Sequence, residues 1–322
     1  MEKLNFIDIS KAIGIILVVV GHYYPDNAPI YYDSFRSYIY TFHMPLFLFL
    51  SGCMFAYTRK KESVVLTMKK KLNRLAIPYI IVSVLIIGLK LVTQRFVYVE
   101  NGVDFFSFVR MLYEPEAGYF LWYIWVLLWM YFLCSFFNNR AYLYILFVLS
   151  IIVKFIPEEF PRVLCLHELK NSAMYFLFGA ILFNDNIYVH FRKNHVQMLF
   201  VICFVICSFF WFMGWYQSPI VMSLFGTLGI YSLANMMDKG EYKKLLYIGK
   251  SSFIIYLFHT TIMGFVKSVI HKFSETMFVE NDVYFMISVI VVAFSGIYFS
   301  LLLQEYIKKN HVIGPLFGFK RN

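Results

Sequence analysis

Charged side chains are scarce in this sequence. Asp, Glu, Lys and Arg make up 15% of its 322 residues, whereas they make up about 25% of an ordinary soluble domain. Hydrophobic residues account for 60% of the chain and aromatic residues for 21%. A soluble protein this apolar could not cover its surface with polar groups. The composition therefore excludes a soluble enzyme, a disordered chain and a disulfide-stabilised scaffold, and it indicates a polytopic membrane protein.

Cysteine motifs for metal or disulfide formation are also missing. The five cysteines include no Cys-x-x-Cys pair and no cluster with histidine. Cys203 and Cys207 share one face of a predicted helix, but no histidine or carboxylate lies beside them. We therefore expect small core cysteines, no structural metal and no disulfide. A cleavable signal peptide is not expected either, because the first apolar run carries Asp8 and Lys11 and lacks a small-residue cleavage site.

Long apolar runs divide the chain into predicted membrane-spanning helices, each of which needs about 20 mostly apolar residues. The sequence predicts an all-α protein with ten such helices, in which residues 1–322 form a single transmembrane domain without a fused soluble domain. The fifth and sixth predicted helices are short. The predicted spans are 7–23, 39–57, 75–93, 119–137, 141–156, 172–183, 197–216, 219–237, 250–270 and 284–306.

Basic residues are distributed unevenly between the two ends of these predicted helices. Most of the 29 Lys and Arg residues fall in segments on one side of the predicted membrane, and the segment 58–74 is the most basic. Because cytoplasmic loops are enriched in Lys and Arg, this distribution predicts that both termini are cytoplasmic. The net charge of +10 then reflects topology and contact with anionic membrane lipid, and we expect no binding to nucleic acid.

The first predicted helix contains three ionisable residues, Asp8, Lys11 and His22. In an α-helix, Lys11 and His22 point within about 20° of each other and lie about 16 Å apart along the axis. Asp8 and Lys11 are spaced i,i+3 and are close enough to pair. Ionisable groups inside a membrane are costly and mark candidate sites. The alternative is an interfacial ion pair at one helix end and a histidine that contacts lipid headgroups at the other.

The second predicted helix carries His43 in the segment Phe42-His43-Met44-Pro45. His43 is expected at the depth of His22, and Pro45 removes a backbone donor and can bend the helix. Burial disfavours the imidazolium form, and a neutral imidazole can accept a proton from an attacking hydroxyl. The alternative for His43, and also for His259 in the ninth predicted helix, is a hydrogen-bonded core histidine.

These segments resemble the acyltransferase-3 family of multi-pass membrane acyltransferases, with a nearer similarity to its fucose 4-O-acetylase-like branch. The resemblance extends over nearly the whole chain. In the segment 71–74 a lysine stands in place of the first arginine of the family's Arg-x-x-Arg motif. The matching motifs are Lys11 and His22 with ten residues between them, Phe42-His43-Met44-Pro45-Leu46-Phe47, Lys71-Leu72-Asn73-Arg74 and Ile255-Tyr256-Leu257-Phe258-His259.

The resemblance implies an integral membrane O-acetyltransferase of the bacterial plasma membrane. Such an enzyme moves an acetyl group from acetyl-CoA, the acyl donor, to a hydroxyl of a cell-surface polysaccharide, an exopolysaccharide or a lipid-linked glycan. No metal is expected from the residue pattern, and the oligomeric state is left open. A membrane transporter or a flippase of a glycan intermediate is the alternative, because buried charges also suit secondary transport.

Donor binding is expected at the cytoplasmic end of the helices. Lys11, Lys71 and Arg74 are expected to contact the donor phosphates through charge-assisted hydrogen bonds, and Asp8 is expected to orient Lys11. The flexible arm of the donor would then run along the first helix and bring the thioester to its outer end.

Catalysis is expected at that outer end. His22 is expected to be the base that deprotonates the acceptor hydroxyl. His43 is expected either to polarise the thioester carbonyl or to orient His22. These two histidines, together with Lys11 and Asp8, are the candidate catalytic residues.

Overall fold

The secondary structure is entirely helical in the part of the chain that the computed structural model describes. This part comprises residues 4–25, 28–58, 63–96, 102–136, 139–216, 218–238, 240–273 and 282–319. Within these ranges no strand occurs. The predicted all-α class is therefore confirmed.

The α-helices are numbered along the chain as follows. They are α1 (Asn5–His22), α2 (Ile30–Thr58), α3 (Val64–Lys71), α4 (Ile77–Thr93), α5 (Ser107–Arg110), α6 (Trp122–Phe136), α7 (Arg140–Lys154), α8 (Leu166–Asn184), α9 (Tyr188–Phe191), α10 (Asn194–Phe212), α11 (Pro219–Met236), α12 (Lys243–Lys250), α13 (Ser252–Phe273), α14 (Asp282–Lys309) and α15 (Ile313–Leu316). A π-helical turn (Leu72–Ala76) joins α3 to α4, and 3₁₀ turns precede α6 (Tyr119–Leu121) and α8 (Val163–Cys165).

Eight helical segments in the described ranges are long and apolar enough to cross a membrane, as expected for a polytopic membrane protein. The fifth and sixth predicted spans correspond to α7 and α8, which are not among the eight. The count of ten and the cytoplasmic termini stay predictions, and residues 59–62 of the basic segment lie outside the described part. The eight segments are Asn5–His22, Ile30–Thr58, Val64–Thr93, Tyr119–Phe136, Asn194–Phe212, Pro219–Met236, Ser252–Ile270 and Asp282–Lys309.

Several helix boundaries differ from the predicted ones. The second helix begins at Ile30 instead of 39 and continues through Pro45. An ion pair between Asp33 and Arg36, spaced i,i+3, lies in its early turns. The predicted ninth span, 250–270, is divided at Ser251 between α12 and α13. The hydrophobic pattern of a sequence locates the apolar centre of a helix but not its ends. The helix can extend into polar residues that are stabilised by capping and ion pairs.

The first of two compact units comprises Met1–Leu50 and Asn186–Tyr306. Its helix α1 packs against α11, α12 and α13. The carboxylate of Asp238 accepts a hydrogen bond from the backbone N–H of Phe6 at 3.1 Å and pairs with Arg192 at 3.0 Å. The first N–H groups of a helix have no partner inside it, so Asp238 fixes the start of α1.

Two glycines allow other helices to approach the ends of α1. A Cβ added at Gly249 of α12 would lie 1.8 Å from the carbonyl oxygen of Asp8. A Cβ added at Gly21 would lie 3.3 Å from the ring of Tyr40 in α2. Small residues permit such close contacts between membrane helices. The backbone at Asp8 and the backbone next to His22 are therefore both held by tight packing.

The second unit comprises Ser51–Asp185 and Ile307–Asn322. Within it α8 packs against α6 and α7, and α3 packs against α6. A Cβ added at Gly52 would lie 1.9 Å from the carbonyl oxygen of Phe176, and the hydroxyls of Ser51 and Tyr123 lie 2.9 Å apart. The Ser51-Gly52 pair therefore fixes this part of α2 against α6 and α8.

The substitution Gly249→Ala tests the contact between α12 and α1. The added methyl group cannot fit beside the Asp8 carbonyl oxygen unless the helices move apart, and such overpacking costs about 1–3 kcal/mol. We expect the thermal unfolding midpoint in detergent to fall by several degrees. Gly264→Ala in α13 is the matched control, since a methyl group there meets no described atom within 4 Å. An equal effect of the two substitutions would contradict this packing.

Candidate active site

Three histidines from three helices of the first unit meet at one place. They are His22 at the end of α1, His43 in α2 and His259 in α13, and we call them the histidine cluster. The ring centres of His22 and His43 lie 6.3 Å apart, and those of His22 and His259 lie 5.0 Å apart. The rings of each pair are nearly perpendicular, at 88° and 90°. The structure thus brings together the two predicted histidines and adds a third.

Each ring of the histidine cluster is held by its own helix. In each of them Nδ1 lies 2.8 or 2.9 Å from the carbonyl oxygen of the residue four positions earlier. A carbonyl oxygen can only accept a hydrogen bond, so Nδ1 carries the proton. In the neutral ring Nε2 is then the unprotonated nitrogen. The three side chains therefore offer nitrogens that accept a proton.

The members of the histidine cluster differ in exposure. His43 is 2% exposed and His259 is 0% exposed, whereas His22 is half-buried. Of the three rings, that of His22 is therefore the most accessible to a substrate.

In the described part of the chain, no group of three or more His, Cys, Asp or Glu side chains is arranged to hold a metal ion.

Arg36 of α2 lies beside the end of α1 and was not among the predicted site residues. Its Nε donates a hydrogen bond to the carbonyl oxygen of Gly21 at 3.0 Å. Its Nη1 lies 3.3 Å from the carboxylate of Asp33, and the guanidinium carbon lies 3.8 Å from the ring centre of Tyr24. A cation at the C-terminal end of a helix is favoured by the helix dipole. The guanidinium is therefore fixed next to His22.

Tyr40 lies between Arg36 and the histidine cluster. Its ring centre lies 5.7 Å from that of His22 and 4.9 Å from that of His43. The guanidinium carbon of Arg36 lies 5.6 Å from the centre of the same ring. Arg36, Tyr40 and His43 are spaced i, i+4 and i+7, so they share one face of α2. This spacing is the sequence signal that identifies Arg36 and Tyr40.

At the other end of α1, Lys11 Nζ lies 3.6 Å from Asp8 Oδ1, as the i,i+3 spacing predicts. On the same helix face between Lys11 and His22, Ile15 is 0% exposed and Val18 is 2% exposed. This face is therefore packed against protein and does not look out at lipid. The expected path of the donor's arm along this face stays a prediction.

Lys71 and Arg74 lie in the second unit. Lys71 directly precedes the π-helical turn Leu72–Ala76, and Arg74 lies within this turn. Lys71 Nζ lies 3.9 Å from the ring centre of Tyr131 in α6, and Arg74 is exposed. Turns of π-helix are frequent at functional sites. The sequence predicted the basic pair, but it did not predict the π-helical turn that carries it.

A family model described as an acyltransferase domain (Acyl_transf_3) matches residues 4–304. The match includes the histidine cluster and the Lys71–Arg74 pair. The chain therefore belongs to the acyltransferase-3 family, and the protein is a membrane acyltransferase. Searches of curated proteins and of solved structures find no match.

The protonation of the histidine cluster can be measured directly. At pH 7.5 we expect ¹⁵N NMR of the histidine-labelled protein in detergent to show His22, His43 and His259 as the neutral tautomer protonated at Nδ1, because each Nδ1 donates to a carbonyl oxygen. Single His→Gln variants assign the signals, and the exposed His195 serves as the reference. A tautomer protonated at Nε2 in any of the three rings would contradict these hydrogen bonds.

Proposed function

We propose that the protein is an O-acetyltransferase of the bacterial plasma membrane. It transfers the acetyl group of acetyl-CoA to a hydroxyl of a cell-surface polysaccharide, an exopolysaccharide or a lipid-linked glycan. Membership of the acyltransferase-3 family supports acyl transfer. The sequence similarity to the fucose 4-O-acetylase-like branch supports acetyl as the group and a sugar hydroxyl as the acceptor. The observation that carries the proposal is the half-buried His22 ring, whose Nδ1 proton is bound to a backbone carbonyl.

In the proposed reaction His22 acts as a general base. Nε2 takes the proton of the acceptor hydroxyl while that oxygen attacks the thioester carbonyl carbon and forms the new C–O bond. The carbonyl electrons move to oxygen and form a tetrahedral oxyanion. When the oxyanion collapses, the C–S bond breaks, and the departing sulfur takes the proton from His22. The ring then returns to its neutral state.

The geometry favours one of the two roles considered for His43. Its Nδ1 proton is directed at the carbonyl oxygen of Ile39, at 2.9 Å. The neutral ring then has no second N–H with which to polarise a thioester carbonyl. We therefore assign His43 to the orientation of the His22 ring by edge-to-face packing, at 6.3 Å and 88° between the two rings, because two neutral rings with both Nδ1 protons bound to backbone carbonyls share no hydrogen bond.

The basic residues are assigned to the anionic donor. Lys71 and Arg74 of the second unit are the proposed phosphate contacts, because Lys71 is held over Tyr131 and Arg74 is exposed. Lys11 of the first unit, oriented by Asp8, is assigned to electrostatic steering of the donor, as a charged group attracts an anionic ligand.

Replacing His22 with Ala should abolish acetyl transfer, because no other half-buried imidazole belongs to the histidine cluster in the described residues. The assay follows acetyl-CoA consumption and acetyl incorporation by purified protein in vesicles with a glycan acceptor. His195→Ala, an exposed histidine of α10, should retain the wild-type rate.

A near wild-type rate in the His22→Ala protein would remove His22 from the chemistry. Movement of a glycan across the vesicle membrane without consumption of acetyl-CoA would instead favour the transporter.

Replacing Arg74 with Gln should weaken donor binding more than catalysis. Loss of one charge-assisted phosphate contact costs about 1.5–3 kcal/mol, which corresponds to an increase of roughly 10- to 150-fold in the Kd of CoA. Calorimetric titration with CoA measures this change. Lys69→Gln, an exposed lysine of the same segment, is the matched control. An unchanged Kd in Arg74→Gln would contradict the phosphate contact.

A further inference from the structure

Arg36 and Tyr40 carry a role that follows from the protonation of the histidine cluster. We infer that these two side chains are the hydrogen-bond donors that stabilise the oxyanion formed on the thioester carbonyl oxygen. This inference rests on the proposed function and extends it to two residues that the sequence motifs do not include.

The reaction requires donors as well as a base. When an acceptor oxygen attacks a thioester, negative charge develops on the carbonyl oxygen, and prearranged donors at this point are among the largest contributions to acyl transfer catalysis. The three neutral imidazoles do not meet this need, because each one directs its N–H at its own helix backbone. Side chains next to the histidine cluster are therefore the candidates for these donors.

Arg36 is suited to this role by its position and its rigidity. The hydrogen bond from Nε to the carbonyl oxygen of Gly21, 3.0 Å long, holds the guanidinium next to His22. The ion pair with Asp33 and the stacking on Tyr24 at 3.8 Å restrict the plane of the group. A guanidinium has five N–H donors in a fixed plane. Hydrogen bonds along one edge of the group therefore also fix the direction of its remaining N–H donors.

Tyr40 supplies a hydroxyl donor on the same side. Its ring contacts both His22 and His43, at 5.7 and 4.9 Å between ring centres. The guanidinium carbon of Arg36 lies 5.6 Å from the centre of the same ring. The base and the two proposed donors thus lie close together at the end of α1.

The transfer of the acetyl group needs no reagent other than acetyl-CoA and the acceptor. The acceptor O–H bond breaks, and its proton goes to Nε2 of His22 as the C–O bond forms. The electron pair of the C=O bond moves to oxygen, where Arg36 and Tyr40 donate hydrogen bonds to it. Return of this pair expels the thiolate of CoA, which takes the proton from His22.

Tyr40→Phe and Arg36→Gln test the inference by a comparison of kcat with KM. Loss of a donor that acts only in the transition state lowers kcat and leaves the KM for acetyl-CoA within about twofold. From other oxyanion donors we expect kcat to fall about 100-fold in Arg36→Gln and at least about tenfold in Tyr40→Phe. Arg36→Lys, which keeps the charge, should recover part of kcat.

The control is Tyr31→Phe, which removes another hydroxyl of α2, the one that donates to Asp282 at 3.1 Å, and should leave kcat unchanged. Thermal unfolding midpoints of all variants show whether lost activity follows lost stability. A normal kcat in both Tyr40→Phe and Arg36→Gln would overturn the inference, and so would an increase in KM alone. An inactive wild-type protein would overturn the proposed function and this inference together, whereas an active wild-type protein with unaffected variants overturns the inference alone.

Discussion

The hydrogen bond from Nδ1 to the carbonyl oxygen four residues earlier is the interaction on which the candidate site depends. It recurs in His22, His43 and His259. In an apolar interior a polar group without a partner is costly, and this bond satisfies one nitrogen of each ring within its own helix. It also fixes the tautomer, since the proton is committed to Nδ1. The same bond that makes a buried imidazole tolerable thus leaves Nε2 able to act as a base.

Much of the site on α1 and α2 was predictable because it depends on helix periodicity. The i,i+3 spacing of Asp8 and Lys11 predicted their ion pair. The predicted depths of His22 and His43 placed their side chains near each other, and the ring centres lie 6.3 Å apart. Hydrophobicity likewise predicted an all-helical membrane protein. These properties follow from the 3.6-residue period and from the cost of polar groups in lipid.

The features that sequence reasoning missed depend on packing between distant segments. His259 belongs to one of the matching sequence motifs, but its place beside His22 depends on the packing of α13 against α1, which no local pattern reveals. The proposed role of Arg36 rests on its hydrogen bond to the carbonyl oxygen of Gly21, and the hydrophobic pattern of the sequence does not indicate the π-helical turn 72–76. The donor path along α1 stays a prediction that rests on a shared helix face alone. Periodicity gives the direction of side chains but does not tell whether the space in front of them is filled, as it is at Ile15.

Mass analysis of surface glycans from cells with and without the gene tests the account most directly. Labelled acetate in the growth medium, converted by the cells to acetyl-CoA, marks newly added acetyl esters, which mild alkali removes. The account predicts that loss of the gene removes one alkali-labile acetyl group from a defined sugar of the glycan while the glycan still reaches the cell surface. An unchanged acetyl content, or a glycan that no longer reaches the surface, would contradict it.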